Sequence, residues 1–263
     1  MGVKSNLSLI FKYLKLNLLK EMKYKTAFIM QIVGMTINDL FLLIQIIVIC
    51  SVADNIGGFG QREMFLMISV SAGSYGIANL FFGGIFGFTN KVYNGMLDVY
   101  LTQPKHALIN IACSSTDVSA IGDIVFAFIA LALVNVSWWM YFIVIPVYIC
   151  GALIIASMYA TYSTLSFYIK NGGAVADSTL SALLITDRYP AGIYNLASRI
   201  ILFTIIPALF YAFVPVEYIF TSFNIYWVLL YIGVTVIWVL IAFISFKLGL
   251  KKYNSGSLMG GRL

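Results

Sequence analysis

Residues 225–246, IYWVLLYIGVTVIWVLIAFISF, contain neither a charged side chain nor a proline. Crossing the hydrocarbon core of a bilayer takes about 20 mostly apolar residues in one helix. Backbone N–H and C=O groups find no water there, so such a stretch must satisfy them internally. The run belongs to a set of six, at about 26–52, 64–88, 119–137, 141–167, 196–214 and 224–247. Strands of a membrane barrel would be about 10 residues long and would alternate in polarity; none of these runs does. The 263-residue chain is 61% hydrophobic and 10% charged, where a soluble domain carries roughly 25% charge. The expectation is an all-α integral membrane protein: six transmembrane helices in a single domain over residues 1–263, without linkers or low-complexity tracts.

Lysine and arginine orient the six runs. Lys4, Lys12, Lys15, Lys20, Lys23 and Lys25 precede the first. On the same side fall Lys91, Lys105, Lys170, Arg188, Arg199, Lys247, Lys251, Lys252 and Arg262, leaving Arg62 alone on the other. Positive loops stay in the cytoplasm, so both termini are expected there. The net charge of +6 is then a topology signal, and nucleic acid is not a partner. Leu7, Ile10, Phe11, Leu14 and Leu18 recur at helical spacing among the N-terminal lysines, which predicts an amphipathic helix on the inner membrane surface in contact with lipid. Residues 174–187 read as a second cytoplasmic or interfacial helix, ended by Tyr189-Pro190.

Catalytic chemistry has little to work with. Cys50, Cys113 and Cys150 lack metal-ligand spacing, and His106 is the only histidine. No metal site, Ser/His/Asp set or G-x-x-x-x-G-K-[ST] phosphate loop can be assembled from the chain. FFGGIFGF at 81–88 is glycine-rich but lacks the Lys and Ser/Thr of such a loop. Its glycines fit helix packing better. Ser69, Gly73, Gly76, Gly83 and Gly87 share one face of the second run and would let another helix approach closely. In the first run Gln31, Asn38 and Gln45 stand seven apart on one face, with Asp39 beside them. An ionisable group at that depth is costly and faces protein or a wet cavity. These four are candidates for a translocation path or for interhelical polar contacts, and no basic partner for Asp39 stands out in the runs.

Between the second and third runs lies NGMLDVYLTQPKH (94–106), too polar to span and too short to be a domain. Its Gly95, Leu97, Asp98, Leu101 and Pro104 form the pattern G-x-L-D-x-x-L-x-x-P. Arg188-Tyr189-Pro190, Ile206-Pro207, Val214-Pro215 and the closing GLKKYNSGS (249–257) follow in order. In order and spacing these elements resemble the six-span permeases of the type-2 class of ATP-binding cassette (ABC) exporters, along nearly the whole chain. Gln103 departs from the pattern, since many relatives carry Arg before the proline.

The resemblance implies a division of labour. A separate cytoplasmic ATPase dimer would bind ATP and Mg and drive two permease subunits, the second a copy of this chain or a paralogue. Residues 94–104 would be the coupling helix: Leu97 and Leu101 in the contact, Asp98 capping or pairing, Pro104 ending the helix. The chain itself would hold no cofactor and would not be an enzyme. The cargo would be amphipathic or hydrophobic, such as an antimicrobial compound, a peptide or a lipid-like molecule. An ion-coupled secondary transporter or channel using Asp39 is the alternative reading, and a membrane-embedded transferase a more distant one.

Overall fold

The computed structural model describes residues 3–53 and 55–253, with side chains from Ser8 onward. The side chains of Lys4 and Leu7, and the closing residues 254–263 with Ser255 and Arg262, lie outside the described residues. Those described are helical, apart from turns and one isolated β-bridge between Ile56 and Phe59. α1 (Val3–Glu21) leads into α2 (Lys25–Val52) and α3 (Gln61–Phe82), which passes through a 3-10 turn into α4 (Phe88–Tyr93). Next come α5 (Leu97–Leu101), α6 (Ala107–Cys113), α7 (Ala120–Leu133), α8 (Met140–Ser163) and α9 (Gly172–Thr186). α10 (Leu196–Thr204) and two π-helical stretches, Leu209–Phe213 and Val216–Thr221, precede α11 (Ile225–Leu250).

Among the described residues, four helical segments are long and apolar enough to cross a membrane: Lys25–Val52, Gln61–Tyr93, Met140–Phe167 and Ile225–Leu250. A fifth is counted if Leu196–Thr204 and Leu209–Thr221, bent by 82°, form one span. Of the six expected spans, four are thus single long apolar helices. The run at 119–137 supplies only the 14 residues of α7, about 21 Å of helix, short of the roughly 30 Å of hydrocarbon. It stops because Asn135 takes a left-handed conformation, φ +52°, which asparagine tolerates better than most residues.

α3 is the axis of the bundle, and its small residues explain how. The Ser69 hydroxyl donates to the Ala127 carbonyl at 2.8 Å and also contacts the Tyr148 hydroxyl. Gly73 lies against the Tyr148 ring, so a side chain there would occupy the ring's place. Gly76 lies against Ala120 and Asp123 of α7, and Gly83 against residues 115–117. Gly84, outside the predicted stripe, is pressed against the Ile111 carbonyl. Gly87 meets the end of Lys91, whose ammonium donates to the Gly84 carbonyl at 2.9 Å, and that carbonyl itself, with no other helix against it. Most of the small-residue face thus brings α7, α8 and the 111–117 segment close to α3 within this chain.

The connections sort to two ends. At one, Asn17 of α1 donates to the Cys113 carbonyl and Thr116 hydroxyl, both at 3.1 Å. There too the Tyr93 hydroxyl donates to the Lys170 carbonyl at 2.6 Å, and Phe88 packs on Phe167 and Phe246. At the other, the turn at 191–193 is pressed against Gly57, and Tyr218 stacks on Trp227 at 4.0 Å.

This sorting bears on two further expectations. α9 packs into the bundle along one face, while Val175, Ser178, Ser181 and Ile185 on the other are exposed. It starts with Gly173 against Thr89, passes the Tyr159 hydroxyl, which donates to Asp177 at 2.7 Å, and reaches Ser71, which donates to the Asp187 carbonyl at 3.2 Å. Residues 188–192 then continue to Gly57 at the far end. The run at 196–214 does not go end to end. α10 starts beside the 191–193 turn and dips in far enough for the Tyr162 hydroxyl to bond the Ile205 carbonyl at 2.7 Å. At Pro207 the chain turns back to the end it came from. Proline lacks the N–H that a continuing helix needs. Arg199 donates to the carbonyls of Tyr194 and Gly192 and so shares the end of Arg62, while Arg188 lines an interior cavity. Both leave the group of fifteen basic residues assigned to one side.

Candidate functional site

The 94–106 segment is built as a rigid projection. Gly95 has φ +68° and closes α4: its N–H bonds the Val92 carbonyl at 3.3 Å while the Met96 N–H reaches the Lys91 carbonyl at 2.9 Å. That paired pattern is a Schellman terminator, whose left-handed residue favours glycine. α5 follows for one turn and a half, and the Thr102 N–H bonds the Asp98 carbonyl at 3.2 Å. Pro104 stands exposed just beyond it.

One side of this projection is fixed. Leu97 is fully buried among Ile85, Phe88, Val92, Leu108 and Ile111. Met96, Val99 and Leu101 are 56%, 62% and 40% exposed, so the apolar surface offered outward is theirs and not Leu97's. Asp98 sits in the first turn of α5, favourable to its dipole, and close to the Tyr253 hydroxyl at the end of α11. The Tyr13 hydroxyl of α1 donates to Gln103 at 3.4 Å. His106 lies edge-on to Phe243 at 4.8 Å, and partial burial there pulls its pKa below the ordinary histidine value. In α1, Ile10, Leu14 and Leu18 are half-buried while Lys12, Lys15 and Lys20 are exposed, and Phe11 of the expected apolar face is exposed as well.

The polar residues of α2 divide. Gln31, Asn38 and Gln45 are exposed on the outer face of this chain, and Asp39 is turned inward with 4% exposure. Asp39 lines a cavity of about 230 Å³ together with Asn38, Asp123 of α7, and Asp187 and Arg188 just beyond α9. Asp123 stands within hydrogen-bonding reach of Asp39, and Arg188 is near enough to act on both Asp39 and Asp187. The Tyr211 hydroxyl donates to Asp187 Oδ2. Of this group only Asp39 and Asn38 were legible as site candidates. Asp123 carried a usable signal, as the one charged residue in its apolar run; Asp187 and Arg188 were hidden by the misplacement of α9. Among the described residues no group of three or more His, Cys, Asp or Glu could hold a metal ion.

Long apolar helices around a small-residue axis, a short projecting turn at one end and a buried polar cavity define a multi-pass membrane protein of the transporter kind. The model of the ABC-2 family transporter proteins matches residues 33–257, and the chain belongs to that family. It is a permease subunit, the membrane component of an ABC transporter rather than its catalytic one, and its association with an ABC ATPase follows from the family. No curated protein and no solved structure matches it.

Proposed function

We propose that this chain is the translocating half of an exporter with six membrane passes and both termini in the cytoplasm. The passes are α2, α3–α4, α6–α7, α8, α9 with residues 188–193, and α11. The pair formed by α10 and 209–221 is re-entrant from the outer side. The lysine-rich α1 lies at the same end as residues 94–106, which the positive-inside bias makes cytoplasmic. Two permeases, each a copy of this chain or a paralogue, form the path and are driven by a cytoplasmic ATPase dimer holding ATP and Mg. The exposed face of α2, with Gln31, Asn38 and Gln45, faces the second permease or the path. The cargo is an amphipathic or hydrophobic compound of the antimicrobial, peptide or lipid-like kind.

The observation that carries this reading is the 94–104 projection. Its inner residue is locked in the core, so a force on Met96, Val99 or Leu101 is passed to the 83–85 turn, α4 and α6. ATP can shift the permease only if its bound state makes different contacts with two conformations, and a rigidly anchored projection can transmit that difference. Purified alone, the chain should hydrolyse no ATP above background; mixed with its cassette ATPase partner, it should form a stable complex whose hydrolysis responds to cargo. Vanadate-sensitive hydrolysis by the chain alone, or no complex with that ATPase, would contradict the proposal.

A further inference from the structure

The cavity between α2, α3, α7 and α9 gathers three carboxyls, those of Asp39, Asp123 and Asp187, around one basic side chain, Arg188. The carboxyls are held away from water: Asp39, Asp123 and Asp187 are 4%, 3% and 2% exposed. A buried polar or charged group without a partner is among the costliest features a fold can keep.

Two atoms show where compensation is missing. No hydrogen-bond donor reaches Asp39 Oδ2 or Asp187 Oδ1, both fully buried. Ser71 donates to the Asp187 carbonyl and Tyr211 to Asp187 Oδ2, and the other polar side chains lining the cavity are Asn38, Tyr75 and Arg188. The remaining walls are apolar, chiefly Met35, Leu42, Ile68 and Phe126. Carboxylates placed in hydrocarbon surroundings suit a cation that brings its own apolar body. The carboxyls do not assemble into a set able to hold a metal ion. At about 230 Å³ the cavity is smaller than the roughly 300–1,000 Å³ of drug-sized sites, which fits a head group and not a whole large molecule. Asn38, exposed on α2, marks the rim.

We propose that this cavity binds the ammonium or guanidinium head of an organic cation, held by Asp39 and Asp187 against the apolar wall. Its place in transport rests on the exporter reading above, where it would receive the charged end of a cationic amphiphile; the binding itself does not need the ATPase.

The test uses the full chain in lipid nanodiscs, with benzyltrimethylammonium as the probe and its uncharged isostere neopentylbenzene as the control, followed by equilibrium dialysis against empty nanodiscs. Saturable binding of the cation at one site per chain is expected, with the isostere doing no more than partition into lipid. Asp187→Asn and Asp39→Asn each replace a carboxyl that faces the cavity by an amide of almost the same shape and should weaken cation binding at least tenfold. Gel filtration and thermal unfolding check that each variant is folded. If one variant fails to fold, the other still decides. Equal binding of cation and isostere, no saturable cation binding, or unchanged affinity in the folded Asn variants would overturn the proposal. ATPase copurification, measured separately, would be unaffected by that outcome, so failure here and failure of the exporter reading are told apart.

Discussion

Tyr211 and Asp187 show what keeps ionisable groups in this interior. Asp187 is 2% exposed and takes its hydrogen bond from the Tyr211 hydroxyl, itself fully buried. Removing a donor from a buried charged acceptor leaves the desolvation cost unopposed, at about 1–3 kcal/mol or more. Tyr211→Phe should therefore lower stability by about 2–3 kcal/mol in thermal unfolding in detergent; an unchanged midpoint would mean that Asp187 does not depend on this bond. Glycine makes a parallel case. Gly73 lies under the Tyr148 ring, whereas nothing lies within 4 Å of a Cβ added at Gly34. Gly73→Leu should cost about 3 kcal/mol through overpacking, and Gly34→Leu should be near neutral. Equal effects at the two positions would remove the close-packing account of α3.

Among elements, the projecting turn separates anchoring from docking. Leu97→Ala empties a buried site and should destabilise the membrane domain by about 2–5 kcal/mol. Met96→Ala with Val99→Ala removes exposed surface and should leave stability within about 0.5 kcal/mol while weakening ATPase binding at least tenfold in a pull-down titration. The reverse result would put the contact on Leu97. How far these elements could be read from the sequence depends on how each hides its polarity. α2, α8 and α11 are long and predominantly apolar, so hydropathy finds them. α9 was missed because Gly172, Gly173, Asp177 and Asp187 look like a surface helix, although the glycines are close-packing positions and the carboxyls are met by Tyr159 and Tyr211. The 196–214 run was misread for the opposite reason. It is apolar enough to span, and only the bend at Pro207 and the contacts of its ends mark it as returning. In the 94–104 motif the spacing was visible in the sequence, but which leucine faces inward was not, because that depends on the left-handed turn at Gly95.

At the scale of the whole molecule, the ends of the bundle carry the functional account. If α9 and residues 188–193 cross the membrane, a cysteine replacing Asn195, in a chain freed of Cys50, Cys113 and Cys150, should react with an impermeant thiol reagent in intact cells. Under the sequence-derived topology the same position would be cytoplasmic and protected. A cysteine at Asn94 should react only after the membrane is opened. Protection of both positions until the membrane is opened would restore the sequence-derived topology and remove the re-entrant reading of α10, and labelling of Asn94 in intact cells would contradict both.

The account's central claim is that the ATPase grips the 94–104 projection, and a photo-crosslink tests it most directly. A benzophenone amino acid placed at the exposed Val99 in native membranes should yield a crosslink to a cassette ATPase on illumination, and the yield should change when ATP is added. The same probe at Asn195 should give none. No ATPase adduct from Val99, or equal adducts from both positions, would contradict the claim.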